Sequence, residues 1–413
     1  MENFDILLKK YADFIVRVGV NPQPGQTLII NCCLEAAPLA RLCVRSAYEA
    51  GARDVLVNWS DNDVSRSRME LGSEEALSDF KSWQLRRYLD YAESEGSVCV
   101  LHIHADDPEV YAGLDGAKIS RVNAGQRKFM APWREYTMND RVQWSIAAMP
   151  SAPWAKKMFP ELDTDAAIEK LWQLIFDVCR VTGGDPVGEW KAHLDRLMTL
   201  RDKMNAFDLE SVRFQSSNGT DLTVGLAEKA RWESAGSKNE KGVDFLPNIP
   251  TEEVFTAPHK DKVNGVVYGT KPYVFNGQLI KGFHVTFQDG KVVEHGAEEG
   301  AELLGQLLDT DAGSRSIGEV ALVPASSPIN RSGALFYSTL FDENAACHIA
   351  FGASYPGTTE GGTALTKEEL LARGMNQSAI HEDVMVGAED SHITGKCRDG
   401  RTVELFKDGV WVL

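Results

Sequence analysis

The chain has 413 residues, of which 43% are hydrophobic and 25% are charged. This composition is typical of a globular protein and argues against intrinsic disorder, and the length allows two packed domains or one large one. The 60 acidic residues outnumber the 43 basic ones, and the resulting net charge of −17 argues against nucleic acid or an anionic membrane as the main partner.

Three features of the sequence predict where the protein works. No stretch approaches the ~20 consecutive apolar residues that a membrane-spanning helix needs. The amphipathic N-terminal segment carries Lys9, Lys10 and Arg17, which interrupt any signal-peptide core. The seven cysteines are scattered and form no Cys-x-x-Cys pair, which is typical of a reducing compartment. We therefore predict a cytoplasmic protein that binds neither a membrane nor nucleic acid.

The first half of the chain alternates short apolar runs with longer segments of helical period. Buried strands are predicted at residues 27–33, 54–59, 97–104 and 143–149. Helices are predicted at residues 36–50, 73–93, 119–136, 153–159, 163–181 and 185–207. Because strands that alternate with helices form parallel sheets, we predict an α/β domain with a largely parallel sheet over residues 1–205. The last three helices bridge this domain to the next one.

After residue 206 the predicted elements are mostly short strands. The pair Asn218-Gly219 lies between two β-rich runs and predicts a hairpin, because both residues tolerate the positive φ of a tight turn. Further strands are predicted at residues 265–269, 279–287, 291–294, 318–323, 347–351, 384–386, 393–396 and 403–406. Helices are predicted chiefly at residues 297–309 and 367–373. These elements predict a mixed α+β, β-rich domain over residues 206–413.

Familiar catalytic motifs for phosphate loops, dinucleotide binding, zincins and nucleophile elbows are absent from the sequence. The candidate chemistry lies instead in acids and histidines of the second domain. If the segment around residues 381–386 is extended, His381 and Asp383 lie on the same face and can hold a divalent cation. For this pair alone, a strand edge with solvated charges is the commoner explanation.

Three more side chains have the same two interpretations. His348 lies between Cys347 and Ile349 in an apolar run, which suits either a buried, hydrogen-bonded histidine or a metal ligand. Glu319 opens an apolar strand, and its charge needs a cation if it is buried. Glu253 lies between a proline-containing turn and an apolar pair, where it is either a ligand or an exposed loop charge.

Four segments that contain these residues are more specific in combination. They read NIPTEEVF at residues 248–255, GEVALV at 318–323, FDENAACHIAFG at 341–352 and HED at 381–383. Together they strongly resemble the aminopeptidase T family, also called the thermophilic or aminopeptidase S (PepS) type, whose members are two-metal exopeptidases. The resemblance extends over most of the chain, although its specific motifs lie after residue 247.

The resemblance implies a metal-dependent aminopeptidase, a hydrolase whose C-terminal domain binds two divalent cations. It implies metal ligands at Glu253, Glu319, Glu343, His348, His381 and Asp383, with Glu343 either a ligand or a neighbouring group, and a tyrosine beside the metals at Tyr355. The oxygen-rich donor set without a thiolate favours Zn, Co, Mn or Mg over copper or an iron–sulfur cluster. The resemblance also implies a homodimer that encloses the active sites and admits only short peptides with a free N-terminus.

On this interpretation the two cations activate a shared water molecule, which attacks the scissile carbonyl. We predict that Glu319 bridges the cations, that Glu343 relays a proton to the leaving amine if it is not a ligand, and that Tyr355 hydrogen-bonds the tetrahedral oxyanion. Two alternatives stay open: a dipeptidase or carboxypeptidase with the same site, and a non-catalytic binding protein with a structural cation site.

The remaining histidines give weaker signals. His102 and His104 alternate along the end of a predicted strand, and the sequence suggests no third ligand nearby. Polar packing explains this pair better than a position at the substrate entrance. Cys347 is adjacent to His348 and is expected to face away from any metal, because side chains alternate along a strand.

Overall fold

The structure is a computed structural model that describes residues 3–94, 96–105, 107–276 and 278–413. Its chain divides into two compact units. The first unit comprises Met1–His193, Gly236–Pro250 and Asn276–Gln278, and the second comprises Leu194–Ala235, Thr251–Phe275 and Leu279–Leu413. The division of the sequence into domains at residue 205 stays a prediction.

The helices before residue 207 are α1 (Phe4–Phe14), α2 (Ala37–Glu49), α3 (Asn62–Leu71), α4 (Glu74–Leu77), α5 (Ser82–Ala92), α6 (Gly116–Phe129), α7 (Ala131–Met138), α8 (Ala152–Met158), α9 (Thr164–Val178) and α10 (Pro186–Ala206). A π-helical turn, Ile15–Val20, follows α1. The later helices are α11 (Ala301–Leu308), α12 (Pro328–Arg331), α13 (Thr339–Asp342) and α14 (Lys367–Ala372).

Two long helices predicted from the sequence are each divided in the structure. The predicted helix 119–136 forms α6 and α7, because Pro132 lacks an N–H group and is accommodated only in the first turn of a new helix. The predicted helix 73–93 forms α4 and α5, since the Gln84 side chain accepts the main-chain N–H of Lys81 and starts a second helix there. Helix α3 is not predicted from the sequence. Met69 is its one buried residue, so the segment has no apolar periodicity.

The first unit contains a four-stranded parallel sheet, as the sequence predicts. Its strands are β1 (Thr27–Cys33), β2 (Asp54–Ser60), β3 (Val98–His104) and β4 (Trp144–Ala148), in the order β2-β1-β3-β4. Apolar side chains of one sheet face, including Ile29 and Val100, pack against Leu89 of α5 and Trp133 of α7. This apolar packing accounts for the burial of the central strands β1 and β3.

The remaining strands are β5 (Leu209–Gln215), β6 (Asp221–Leu226), β7 (Glu233–Ser234), β8 (Ser237–Lys238), β9 (Asp244–Phe245), β10 (Val254–Thr256), β11 (Pro258–Tyr268), β12 (Tyr273–Phe275), β13 (Gln278–Ile280), β14 (His284–Gln288), β15 (Lys291–Gly296), β16 (Ile317–Leu322), β17 (His348–Gly352), β18 (His381–Met385), β19 (His392–Cys397), β20 (Thr402–Lys407) and β21 (Val410–Trp411). The predicted hairpin is formed by β5 and β6, with Gly219 at a φ of 100°. The single strand predicted at 279–287 is two strands, β13 and β14, because the chain turns at Gly282 with a φ of 59°.

Two antiparallel sheets form most of the second unit. One has eight strands in the order β15-β14-β11-β6-β5-β19-β20-β21, and the other has five in the order β18-β17-β16-β10-β7. Their apolar side chains belong to one continuous core, in which Phe287 of β14 stacks against Phe351 of β17. Because side chains alternate along a strand, the five-stranded sheet has a second face that carries the intervening residues. None of the described helices combines the length and the apolar character that crossing a bilayer demands.

Candidate metal centre

The candidate ligands lie on the face of the five-stranded sheet that is opposite its apolar core. Val320 and Ile349 point into that core, so their neighbours Glu319 and Ala350 point to the other face. Ala350 pairs with Glu319 on one side and with Asp383 on the other, which aligns the three side chains in a row across β16, β17 and β18. The short side chain of Ala350 leaves space between the two carboxylates.

Both histidines are oriented by main-chain carbonyl groups. His348 Nδ1 lies 3.2 Å from Ala346 O, and His381 Nδ1 lies 2.7 Å from Ala353 O. Since a carbonyl oxygen can only accept, each Nδ1 carries a proton, and Nε2 is the nitrogen that a metal ion can bind once it is deprotonated. Histidine ligands of metal sites are commonly held in this way by a hydrogen bond to the other ring nitrogen.

Two groups of three ligand atoms form at the face, and they share one residue. Glu253, Glu319 and His348 make the first group, and Glu319, His381 and Asp383 make the second, with the ligand atoms of each group within 4.8 Å of one another. Glu319 Oε1 lies 3.5 Å from His348 Nε2, while its Oε2 lies 3.6 Å from His381 Nε2. The two oxygens of Glu319 therefore belong to different groups.

Two buried carboxylate oxygens lack a hydrogen-bond donor among the described residues. They are Glu253 Oε2 and Asp383 Oδ1, although His348 Nε2 lies 3.1 Å and 3.9 Å from them. An unsatisfied buried acceptor costs about 1–3 kcal/mol, and more when it is charged. A divalent cation removes that cost, and carboxylate oxygens with imidazole nitrogens suit the ions favoured by the sequence. The residues at this face therefore fit metal ions.

The electrostatics of the cluster favour retained protons when no cation is bound. Burial raises the pKa of Glu319 to about 7, and burial together with Asp383 and Glu253 holds the pKa of Glu343 well above its ordinary value. Burial by itself lowers the pKa of a histidine, but Glu253 and Glu319 outweigh it at His348 and hold that pKa well above the ordinary value.

His381 and Asp383 shift each other's pKa in opposite directions. Burial lowers the pKa of His381, but the charge of the nearby Asp383 outweighs it and raises the pKa to about 10. Burial raises the pKa of Asp383, but the His381 charge outweighs it and leaves the pKa below its ordinary value. A cation that binds here must displace protons from the histidines.

Glu343 and Tyr355 lie outside the two ligand groups. Glu343 lies in the 3₁₀ turn Glu343–Ala345 and is buried, with its Oε1 accepting a hydrogen bond from Asn344 Nδ2 at 3.3 Å. The ring of Tyr355 meets the ring of His381 edge-on, with 4.7 Å between the centroids. Burial and four carboxylates, Glu319 first among them, hold the pKa of Tyr355 well above its ordinary value. Its hydroxyl therefore stays protonated.

Other residues singled out from the sequence lie elsewhere. His102 and His104 belong to β3 of the first unit and join no cluster of three ligands among the described residues. Burial and the neighbouring His104 lower the pKa of His102 to about 4, so its imidazole is neutral. Cys347 faces away from His348, as expected, and its thiol donates to Val323 O at 3.2 Å.

Three supporting residues were not identified from the sequence. Asn344 hydrogen-bonds Glu343, Ser234 Oγ donates to Glu253 O at 2.8 Å, and Ala350 provides space between the carboxylates. No pattern around Ser234 or Ala350 distinguishes them from other small strand residues. For Asn344, a polar side chain inside an otherwise apolar segment is the one available signal.

Comparison with known proteins gives consistent matches over the whole chain. A family model described as thermophilic metalloprotease (M29) matches residues 4–411. Aminopeptidase 2 of Geobacillus stearothermophilus is 43% identical over 411 residues, which cover 100% of this chain and 99% of that protein. Aminopeptidase T of Thermus aquaticus is 40% identical over 413 residues, 100% of both chains. The structure of wild-type AmpT from Thermus thermophilus superposes with a TM-score of 0.91 at 37% identity, covering 99% of this chain and 100% of that one.

Proposed function

Since the chain belongs to the thermophilic metalloprotease (M29) family and is a metal-dependent aminopeptidase, we propose that it uses two divalent cations to remove N-terminal residues from short peptides. The observation that carries this proposal is the pair of ligand groups that share Glu319. The unsatisfied oxygens of Glu253 and Asp383 support it, because each belongs to a different group.

Each group of side chains would hold one cation. Glu253, Glu319 and His348 would bind the first, and Glu319 would share its second oxygen with His381 and Asp383 for the other. When bound, the cations supply positive charge that polarises the scissile carbonyl and makes water acidic enough to ionise near neutral pH.

Glu343 is the residue that we propose transfers a proton to the leaving amine. Burial and the charges of Asp383 and Glu253 hold the pKa of its carboxyl well above the ordinary value, which favours the protonated form that a proton donor needs. Because Oε1 accepts the amide N–H of Asn344, we assign the transferred proton to Oε2. Tyr355 keeps its hydroxyl proton and is the proposed hydrogen-bond donor to the negative oxygen that develops on the substrate carbonyl.

The direct test compares a tripeptide that has a free N-terminus with its N-acetylated form. We expect hydrolysis of the free peptide with release of its first residue, and at least a hundredfold slower reaction of the blocked peptide. Comparable cleavage of both forms would indicate a carboxypeptidase. Cleavage confined to dipeptides would indicate a dipeptidase instead.

A metal titration tests the number of cations. Chelated and dialysed protein should regain activity with added Co²⁺ or Zn²⁺, and elemental analysis should find two equivalents per chain at full activity. Full activity at one equivalent would contradict the two-cation proposal. Metal that changes only the melting temperature would support a structural site.

We also propose that the protein is a homodimer in a reducing, cytoplasmic compartment. The family resemblance supports the dimer, and the seven buried cysteines, all present as thiols, support the compartment. Light scattering in solution should give twice the chain mass of 45.5 kDa, and a monomeric mass at working concentration would contradict the dimer.

A further inference from the structure

Asn344 contacts two segments that carry acids of the metal centre. It is 0% exposed. Its side-chain Nδ2 donates to Leu340 O at 3.1 Å and to Glu343 Oε1 at 3.3 Å, while its Oδ1 accepts the main-chain N–H of Glu252 at 2.7 Å. The amide of Asn344 thus hydrogen-bonds both the 3₁₀ turn that contains Glu343 and the segment that leads through Glu253 into β10.

Main-chain groups, rather than the metal centre, determine which way this amide points. The N–H of Glu252 can only donate, so it requires the oxygen of the Asn344 amide. The carbonyl of Leu340 can only accept, so it requires the NH₂ group. The nitrogen that faces Glu343 is therefore fixed by two independent partners, which resolves the usual ambiguity of an amide orientation.

The consequences for the two acids differ. Glu343 Oε1 accepts the hydrogen bond from the Asn344 amide, which orients the carboxyl group. Glu253 is held on both sides, through the N–H of the preceding residue on Asn344 and through its own carbonyl on Ser234. Among the described residues, no side-chain amide supports the second ligand group, and strand pairing and the carbonyl of Ala353 orient His381 and Asp383.

We propose that Asn344 is a positioning residue that orients Glu253 and Glu343 and thereby sets the affinity of the first ligand group without affecting the second. This proposal rests on the two-cation function proposed above. Supporting groups around metal ligands typically change metal affinity or activity 10- to 100-fold when they are removed. The distinctive expectation is therefore a selective weakening of one of two metal equivalents.

Two substitutions test the role. Asn344→Asp keeps the size of the side chain but places an acceptor against Leu340 O and Glu343 Oε1, and Asn344→Leu removes both donors. Calorimetric titration of the chelated full-length protein with Co²⁺ should show one equivalent weakened about 10- to 100-fold and the other within about twofold of wild type. The visible absorption of Co²⁺ should change for the same equivalent alone. The kcat of the metal-loaded variants should fall by a similar factor with little change in KM.

Ser327→Ala provides the matched control. Ser327 Oγ donates to the main-chain oxygen of Asn344 at 2.6 Å, so this variant loosens the same segment and leaves the amide in place. We expect a lower melting temperature with both metal affinities and kcat retained. If the Asn344 variants instead lose both equivalents in parallel, or neither, Asn344 is a general structural residue and the proposal is wrong.

Two further readouts keep the test decisive. Should the variants not fold, a crystal structure of metal-loaded wild type decides, because Asn344 Nδ2 must remain within hydrogen-bond distance of Glu343 Oε1. An amide turned away from Glu343 would overturn the proposal. The metal titration needs no peptidase activity, so an inactive wild type would refute the proposed function and still leave the role of Asn344 measurable.

Discussion

Each unit of the molecule carries a row of polar side chains across a sheet. The two rows differ in how their polar groups find hydrogen-bond partners. In the parallel sheet, Asn31 pairs with Asn58 on one side and His102 on the other. Asn31 Oδ1 accepts from Asn58 Nδ2 at 2.7 Å and from the Tyr88 hydroxyl at 3.0 Å. Amides and hydroxyls both donate and accept, so Asn31 and Asn58 find partners in each other and in Tyr88 of α5.

The row in the antiparallel sheet cannot do so. Glu319 and Asp383 offer acceptors alone when they are ionised, and Asp383 Oδ1 meets no donor among the described residues. The neutral imidazole of His102 lies in the row of the parallel sheet, while His348 and His381 lie beside the acceptor-rich row of the antiparallel sheet. The balance of donors and acceptors, more than the presence of histidine, separates a metal centre from polar packing.

The largest expected effect follows from neutralising the shared acid. Glu319→Gln removes a charged ligand from both groups, so we expect both metal equivalents to be lost and activity to fall well beyond the roughly hundredfold effect of a supporting residue. Elemental analysis and kcat/KM check this. Glu294→Gln, on the exposed side of β15, is the matched control and should behave as wild type. If the Glu319 variant keeps two metals, the assignment of the acceptor-rich row as a metal centre is wrong.

A smaller effect is expected from filling the space between the carboxylates. Ala350→Leu places a bulky side chain between Glu319 and Asp383, so we expect at least tenfold lower activity and about 1–3 kcal/mol of lost stability. Ala350→Gly adds no bulk and should keep its metals. Activity assays and thermal unfolding measure both variants. Wild-type activity in Ala350→Leu would mean that the carboxylates need no space between them.

The chelated protein should lose stability as the pH rises, unlike the metal-loaded form. The folded-state pKa values of Glu319, about 7, and His381, about 10, lie above the ordinary 4.5 and 6.5. The folded state therefore holds more protons, and its added stability is complete below the ordinary values and lost as the pH passes the raised ones. The lowered pKa of Asp383 acts only below its ordinary 3.8, outside this window.

Melting temperatures between pH 6 and pH 9 measure this effect. We expect the chelated protein to fall by a few degrees more than the metal-loaded protein, because cations replace the protons in the loaded site. Parallel curves for the two forms would contradict the assigned electrostatics.

The smallest effect on stability and activity is expected from a substitution beside the polar row of the parallel sheet. Tyr88→Phe removes one hydrogen bond to Asn31 but keeps the ring stacked 5.1 Å from Trp133, so we expect about 0.5–1.5 kcal/mol of lost stability. Thermal unfolding checks the loss, and the activity of the folded variant should be unchanged. A large loss of activity would show that the first unit's row takes part in the chemistry.

Local sequence patterns predict the presence of helices and strands more successfully than the points at which these are interrupted. The strand at residues 27–33 was predicted with the observed bounds, because a continuous apolar run between turn residues leaves little choice. The breaks at Pro132 and Gly282 depend on a single residue within an otherwise periodic segment. A window that averages over periodicity passes over such residues.

Only part of the candidate site follows from local pattern. Strand alternation predicted that His381 and Asp383 share a face, and their Nε2 and Oδ1 atoms lie 3.5 Å apart. The approach of Glu253 depends on the strand order β18-β17-β16-β10, which no local pattern contains. The family resemblance identified it instead. His102 and His348 lie in similar apolar runs, so local sequence alone does not tell them apart.

The strand order also has a consequence for how the protein is made. Translation produces the first ligand group once His348 has been added, whereas the second needs β18, the edge strand of its sheet, which follows later in the chain. A nascent chain released early would therefore carry one ligand group and an uncovered edge at β17. The centre is therefore complete only after β18 has been added.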